Sequence, residues 1–373
     1  MVMIPPFHYT RKQMVMLGIL ELPNAPKFLR NIITVVIIAL SFNSNLSSFL
    51  YFLLEDKPFF EKTESILNCI GILHVFSKAL VLPFKRNVLL SVMSDLDEMS
   101  VDSNRFQEFR KGYNLNMMLS RKIPQTVLLS MCTLMMCGTI VSIVRYTTQG
   151  TVTPPVQLYI PFKDNISLTI LYNYFLVLPT TFVFSVMISF LISLSLNISI
   201  QISYLIMKLE NLGMDLSSKE IDSCIILHQK IMRVMTKVNS LMSGLLFFEY
   251  LLTSMQCCLS GYQLLADKKN DGIAGFFYHC TFFAISVTFS SVNCYCGDII
   301  KLKSENIFEA AYCNNWYSLS NVERKKLLVL QLASSKPLTL SYRHLITFDL
   351  ALYGIILKGA YSLVTVLQTM ETV

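Results

Sequence analysis

The chain has 373 residues, of which 53% are hydrophobic and only 15% are charged, and its mean hydropathy is +0.52. Soluble domains carry roughly 25% charged residues, so this composition excludes an ordinary soluble protein. The formal net charge is +7, but the Lys and Arg residues are dispersed between apolar segments. A nucleic-acid-binding protein would need them clustered on one folded soluble face, so no nucleic-acid partner is expected.

Seven apolar runs follow one another along the chain, and each is long enough to cross a bilayer as a helix. They lie near residues 30–54, 65–84, 124–145, 170–196, 240–265, 273–300 and 346–370. The first 29 residues are rich in proline and show no cleavable signal peptide. The apolar stretch Met14 to Leu22 is too short to span and is predicted to lie along the membrane surface. We therefore predict an all-α membrane protein with seven transmembrane helices.

The positive charges are distributed unevenly between the two sides of the membrane. The N-terminal segment and the loops after spans two, four and six hold most of the 31 Lys and Arg residues. The opposite side holds Lys57, Lys62, Arg145, Lys163, Lys268 and Lys269. Because cytoplasmic loops are enriched in Lys and Arg, we predict a cytoplasmic N-terminus and an extracellular C-terminus.

One sequon, Asn165-Ile166-Ser167, falls in the predicted exterior loop between spans three and four. It fits N-glycosylation, although such triplets also arise by chance. None of the ten cysteines lies clearly in an exterior loop, so no disulfide framework and no zinc site are expected. The chain shows no enzyme signature, and we expect neither catalytic residues nor a cofactor.

The chain is predicted to form a single domain over residues 1–373. Its parts are a cytoplasmic N-terminal segment (1–29), spans one to six with their interior helices (30–300), a cytoplasmic anchor segment (301–345) and the last span (346–373). Apolar residues recur at helical spacing within residues 221–235. We therefore expect spans four, five and six to continue past the membrane and pack into an interior helical bundle.

The anchor segment contains a helix-start signal. Ser320 and Glu323 form a capping box that opens a helix through about Ser334, and Pro337 then ends it. This helix either packs into the interior bundle or lies isolated as an amphipathic surface helix.

Ionisable residues within spans are costly and usually face protein or water. Three of them here are Glu249, Asp349 and Lys358. An ion pair between Glu249 and Lys358 is expected, either as a structural contact or close to an ion path.

The outer half of span seven carries a polar stripe. Tyr361, Thr365, Gln368 and Thr369 recur at i, i+4, i+7 and i+8, which places them on one helical face. Such a stripe needs water or a polar partner. One helix cannot enclose a pore, so the stripe either lines a pore built by several chains or contacts another helix through its hydroxyls.

Several motifs resemble those of the insect odorant receptors. Residues 158–163 (LYIPFK) are similar to that family's WYPFD loop, with Leu where Trp is usual and an inserted Ile. His228-Gln229 resembles its HQ helix, and Cys296-Gly297-Asp298 resembles the motif that ends its sixth span. Residues 310–338 then follow its A-Y, W-Y, R-K and P pattern, and residues 358–367 (KGAYSLVTVL) are similar to its K-x-S-Y-S-x-x-T-L-L ending.

The resemblance implies a ligand-gated, non-selective cation channel in the plasma membrane of olfactory sensory neurons. It implies a heterotetramer with the odorant co-receptor, in contact with membrane lipid, around a pore that passes cations and is lined by span seven. The pore candidates in this sequence are Tyr361, Thr365, Gln368 and Thr369. Thr365 and Thr369 depart from the family's commonly apolar gate.

The resemblance also implies a cavity for a small volatile ligand in the outer half of spans two, three, four and six. The candidates are Leu73, His74, Met135, Gly138, Thr139, Tyr172, Phe175, Leu176, Phe276, Phe277, Cys280 and Phe283. His74 is equally explained as a core histidine bonded to the backbone, and the aromatic stripes of spans four and six as helix packing.

Two other receptor classes, of which the first is a related family, serve as alternatives. A gustatory receptor-type channel would end span seven near T-Y-x-x-x-x-x-Q-F, whereas Gln368 is followed here by Thr369. A G-protein-coupled receptor would have an exterior N-terminus and an N-P-x-x-Y motif in span seven, but residues 346–370 contain no proline.

Overall fold

The structure, a computed structural model, describes residues 7–20, 27–54, 59–103, 106–150, 152–160, 165–212, 218–266, 272–343 and 345–371. The helices in these ranges are α1 (His8–Met16), α2 (Lys27–Leu54), α3 (Phe59–Phe84), α4 (Arg86–Ser103), α5 (Gln107–Gln149), α6 (Ile166–Glu210), α7 (Ser218–Ala266), α8 (Gly272–Tyr312), α9 (Asn321–Ser334) and α10 (Leu350–Glu371). A 3-10 turn at Trp316–Ser318 precedes α9. A short hairpin of β1 (Ser341–Tyr342) and β2 (Ile346–Thr347) precedes α10.

The predicted all-α membrane fold is confirmed. Among the described residues, six helices are long and apolar enough to cross a membrane, namely α2, α3, α5, α6, α7 and α8. The seventh predicted span coincides with the apolar helix α10. The apolar runs locate the helices because backbone N–H and C=O groups find no water in lipid, and a helix satisfies them within its own segment. The orientation of the termini stays a prediction.

Four of the spanning helices are far longer than a bilayer requires. Helix α6 has 45 residues and is therefore about 68 Å long, whereas the hydrocarbon core is about 30 Å thick. Helices α7 and α8 have 49 and 41 residues, which confirms that spans four to six continue as helices. Helix α5 does the same at its N-terminal end, with 43 residues, which the sequence analysis did not predict.

The helix of residues 221–235 is part of α7, and its apolar face is buried as predicted, with Ile221, Ile231 and Val234 no more than 2% exposed. The capping box at the start of α9 is also confirmed. The Ser320 hydroxyl accepts from the Glu323 backbone N–H, and the Glu323 carboxylate accepts from the Ser320 backbone N–H. Helix α9 packs on α8 and α7, so the alternative of an isolated surface helix is wrong.

The N-terminal apolar stretch is packed into the protein core, and its predicted location along the membrane surface stays a prediction. Met14, Leu17, Ile19 and Leu20 are at most 5% exposed and belong to the main apolar core. Helix α1 packs on α5 and α6, and an Arg11–Asp97 ion pair of 2.5 Å ties it to α4. The long helices α5 and α6 provide the surface that covers this stretch. The sequence of the stretch alone does not show that such a surface is present. Residues 21 and 22 of the stretch lie outside the described residues.

Candidate functional site

A cavity of about 120 Å³ lies within the helical bundle. Helices α3, α5, α6, α7 and α8 supply its walls. Most of its lining is apolar, from Ile72, Val75, Met131, Leu134, Met135, Val156, Val177, Phe184, Phe282, Ile285 and Phe289. Its polar residues are Asn68, His74, Thr180, Thr181, Thr253, Gln256, Ser286, Ser290 and Asn293. A mostly apolar concavity with a few polar groups is typical of a site for a small organic molecule.

The loop that follows α5 closes one side of this cavity. Residues 152–160 form no helix or strand, and Leu158 and Gln157 are each 1% exposed. The Tyr159 backbone N–H donates to the Ser47 carbonyl over 2.9 Å, and the Ser47 hydroxyl donates to the Tyr159 carbonyl over 2.7 Å. The Asn173 amide donates to the carbonyl of the lining residue Val156 over 2.8 Å. The described part of the family-like loop motif is therefore hydrogen-bonded to α2, while residues 161–164 lie outside the described range.

A buried charged cluster lies beside the cavity. One carboxylate oxygen of Glu249 is 2.7 Å from His74 Nε2 and 2.9 Å from Lys78 Nζ. The other carboxylate oxygen accepts from the Asn293 side-chain amide. Lys78 Nζ also lies 5.1 Å from the centroid of the Phe184 ring, which fits a cation–π contact. His74 and Asn293 line the cavity, so the cavity wall is continuous with this cluster.

The predicted Glu249–Lys358 ion pair is wrong. Glu249 bonds to α3 and α8, whereas Lys358 is exposed on α10. Helices α7 and α10 are neighbours, but the Glu249 side chain faces α3 and α8 instead of Lys358.

His74 is a core histidine, although its described partner is a carboxylate and not the backbone. Asp349 bonds to Lys301 over 2.8 Å.

Two of the predicted ligand-binding residues, His74 and Met135, line the cavity. Leu73, Phe175, Phe276 and Phe277 are instead exposed on the outside of the bundle. The ligand role of these side chains stays a prediction, but the structure does not bring them together at this cavity.

The remaining predicted residues lie near the cavity without lining it. Gly138 lies against the Pro155 carbonyl, and the Thr139 hydroxyl is 3.1 Å from that of Tyr174. Leu176 belongs to a smaller apolar cluster built from α3, α5, α6 and the loop after α5, and Tyr172 packs against that cluster. Cys280 borders an outer groove, and Phe283 points toward Gly261 of α7.

The four helices predicted to wall a ligand site, α3, α5, α6 and α8, all contribute to this cavity, and so does a fifth helix. Helix α7 contributes Thr253 and Gln256, although span five was not among the predicted walls. The lining residues of α8 recur at helical spacing from Phe282 to Asn293 and include two serines. This polar stripe on one face of an otherwise apolar span was the sequence signal for the lining residues of α8.

Helix α10 is attached to the bundle by one face. Leu352, Ile356, Ala360 and Val364 are buried at four-residue spacing, and the helix packs on α7 and α8. The predicted polar stripe lies elsewhere on the helix. Tyr361 is 73% exposed, and Thr365 and Thr369 are exposed with hydroxyls that donate to carbonyls of their own helix. Gln368 belongs to α10, but its side chain lies outside the described residues.

Asn165 is the N-cap of α6. Its side-chain oxygen accepts from the backbone N–H groups of Ser167 and Leu168 over 3.1 and 3.3 Å. The amide nitrogen, which is the atom that carries an N-linked sugar, is not engaged in these bonds.

Comparison with known proteins supports the same fold and family. Two structures of the insect olfactory receptor OR5 from Machilis hrabei, one in complex with eugenol, match with TM-scores of 0.76 and 0.75. They are 15% and 14% identical and cover 96% of this chain and 98% and 97% of the OR5 chains. At this identity the likeness shows the fold alone.

Two curated relatives from Drosophila melanogaster align with shorter stretches. The putative odorant receptor 69a, isoform A, is 25% identical over 153 residues, which is 41% of this chain and 38% of the relative. Odorant receptor 49a is 29% identical over 146 residues, 39% of this chain and 36% of the relative. These alignments span well under half of either relative. The model of the 7tm odorant receptor family matches residues 59–361, and the chain therefore belongs to the odorant receptor family.

Proposed function

We propose that this receptor is one subunit of an odorant-gated, non-selective cation channel. In this proposal it assembles as a heterotetramer with the odorant co-receptor in the plasma membrane of olfactory sensory neurons. The observation that carries the proposal is the pairing of two features in one chain. A mostly apolar cavity is lined in part by α7 and α8, and both helices also pack against the partly exposed helix α10.

The cavity suits a small volatile molecule. Burying its apolar surface would contribute roughly 25 cal/mol per Å², and the polar lining residues would orient it. The related OR5 structure in complex with eugenol supports this class of ligand. A ligand that binds the open state more tightly than the closed state shifts the equilibrium toward conduction.

The exposed stripe of α10 suits a shared pore. A single helix cannot surround ions, so a pore requires α10 helices from several chains around one axis. Tyr361 and Thr365 offer a hydroxyl-bearing face that the rest of the described chain leaves exposed. Cations passing along this face would meet hydroxyl oxygens, which replace part of their hydration shell.

Subunit contacts are supported by the interior end of the molecule. Val322, Leu328, Val329 and Leu332 of α9 are each more than half exposed and share one face of the helix, opposite the buried Leu327 and Leu330. Exposed apolar patches of this kind mark protein–protein contacts. The N-terminus is cytoplasmic in this proposal, so the patch would join subunits on the cytoplasmic side.

Co-expression of the receptor with an odorant co-receptor in a non-insect cell tests the function. Volatiles from a broad panel are expected to evoke cation currents without added G protein or nucleotide, and the receptor alone is expected to give little current. Surface biotinylation controls for delivery. Silence with every volatile from a receptor that reaches the surface would contradict the proposal.

Cysteine modification tests the pore assignment. Thr365→Cys is expected to become sensitive to a positively charged methanethiosulfonate reagent, losing roughly half of the evoked current or more, because the new thiol is wetted by the ion path. Val366→Cys is the matched control, since Val366 is exposed on another face of the same turn. Equal block of both variants, or block of neither, would contradict a pore lined by this stripe.

Glycosylation of Asn165 tests the orientation of the chain. The proposed topology places Asn165 outside, so digestion with an N-glycosidase is expected to increase gel mobility by about the mass of one glycan. Asn165→Asp should abolish the shift and keep the helix cap, because aspartate is an equally good N-cap. Ser167→Ala should abolish it with Asn165 unchanged. A mobility shift that persists in both variants would contradict glycosylation at Asn165. If the wild-type chain carries no glycan, Asn165 gives no support to the proposed topology.

A further inference from the structure

Helices α7 and α8 face each other across the cavity through three successive levels of polar side chains. The two helices are adjacent and antiparallel, so residue numbers rise along α7 as they fall along α8. At the level nearest the charged cluster, the Asn293 amide donates to Glu249. Two turns away, the Gln256 amide donates to the Ser286 hydroxyl over 3.2 Å. These two bonds fix the register of one helix against the other.

The level between them belongs to Thr253 and Ser290. Thr253 lies four residues beyond Glu249, about 6 Å along α7, and Ser290 lies three residues before Asn293, about 4.5 Å along α8. The two hydroxyls are therefore at nearly the same height, between two levels that are both hydrogen-bonded. Both residues line the cavity.

The middle level has no hydrogen bond among the described residues. Thr253 is 7% and Ser290 is 3% exposed, yet neither hydroxyl finds a protein partner. Other hydroxyls of the lining are satisfied within their own helices, as that of Thr180 is by the Val177 carbonyl over 2.7 Å and that of Ser286 by the Phe282 carbonyl over 2.9 Å. A buried polar group without a partner is costly, and it is rare in native proteins.

We propose that Thr253 and Ser290 determine ligand specificity by donating hydrogen bonds to a single acceptor oxygen on an otherwise apolar ligand. A carbonyl oxygen, as in a ketone, aldehyde or ester, has two lone pairs and accepts from both hydroxyls at once. The apolar body of the ligand then lies against the apolar walls, with Phe282 and Phe289 beside it. This inference rests on the proposed function and names the ligand class for the same cavity.

The expected discrimination is large for so small a chemical difference. A site built to hydrogen-bond a ligand oxygen rejects the analogue without it, because the protein groups then stay buried and unpaired. Each such bond is worth about 1 kcal/mol, and we expect the oxygen to improve the half-maximal concentration by about tenfold to a hundredfold.

Pairs of volatiles that differ only in this oxygen test the proposal in the co-expressed channel. Acetophenone is compared with α-methylstyrene, and cyclohexanone and larger cyclic ketones with their methylene analogues, in which CH₂ replaces the carbonyl oxygen. Wild-type receptor is expected to respond to ketones at concentrations at least tenfold lower than to the matched hydrocarbons.

Thr253→Val and Ser290→Ala are each expected to reduce that ratio by about threefold to tenfold, and the double variant to abolish it. The hydrocarbon responses also report that these variants fold and conduct. Ser254→Ala is the matched control, since Ser254 lies on α7 outside the cavity lining and its hydroxyl already donates to the Tyr250 carbonyl over 2.7 Å, so this variant should retain the wild-type ratio.

Three outcomes would overturn the assignment. In the first, ketones and hydrocarbons act equally on the wild type. In the second, currents are confined to volatiles without an acceptor oxygen. In the third, the ratio is unchanged in the double variant. Each of them leaves the channel function intact, because currents are still recorded. Silence with every volatile from surface-delivered protein would instead overturn the proposed function itself.

Discussion

Replacing Glu249 with leucine is expected to remove most of the receptor from the cell surface. The carboxylate is 6% exposed and lies within 3 Å of both His74 and Lys78. Without it, the Lys78 ammonium remains at membrane depth with no described counter-charge. Breaking a buried ion pair by removing one partner costs about 3–5 kcal/mol. This is a large fraction of the stability of a typical folded domain.

The measurement combines surface biotinylation with the thermal stability of the detergent-solubilised protein, followed by size-exclusion chromatography. The double variant Glu249→Leu with Lys78→Met is expected to recover a substantial part of both, because an apolar pair leaves no charge uncompensated. Glu98→Leu is the matched surface control. Its Lys230–Glu98 pair is solvent-exposed, with 42% and 72% of the side chains accessible, and such pairs contribute about 0–1 kcal/mol.

Two results would contradict this account of the cluster. A Glu249→Leu variant that matches the wild type in surface amount and melting temperature would show that the charge needs no compensation there. A double variant as poor as the single one would show that the loss arises from packing and not from an unpaired lysine.

The sequence predicted the helices well because hydrophobicity and length alone decide which segments cross a membrane. It predicted the start of α9 for an equally local reason, since the capping bonds of Ser320 and Glu323 lie within one turn. Neither prediction requires knowing what surrounds the segment.

Which face of each helix points inward could not be predicted in the same way. In an apolar span both faces look alike, and a rotation of one residue moves a side chain by about 100°. Leu73 was chosen for the cavity, but its neighbour Ile72 lines it. Glu249 was paired with Lys358, whereas a carboxylate on α7 meets α3 because those helices are also adjacent. Polar residues within a span indicate its inward face, but they do not show which helix supplies their partners.

The second large effect is expected at Gly297, in the family-like motif that ends span six. Helix α8 passes so close to the segment before α10 that a Cβ built on Gly297 would clash with the Phe348 carbonyl oxygen. That contact is with backbone, so no side-chain rotation can relieve it. The next residue, Asp349, accepts from the Leu352 backbone N–H over 2.9 Å and from Lys301 over 2.8 Å. Together these contacts set the position at which α10 begins.

Gly297→Ala is therefore expected to displace the base of α10 from α8 and to abolish odorant-evoked current. Overpacking of a core costs about 1–3 kcal/mol of stability, and occasionally more, so we expect some of the variant to reach the cell surface. The absence of evoked current from that surface protein then reports lost coupling between the bundle and α10. Gly244→Ala is the matched control within α7. A Cβ there meets nothing within 4 Å, and alanine is the better helix former by about 1 kcal/mol, so current and surface amount should be retained. Wild-type current per surface receptor in Gly297→Ala would show that the close approach of α8 to Phe348 is dispensable for gating.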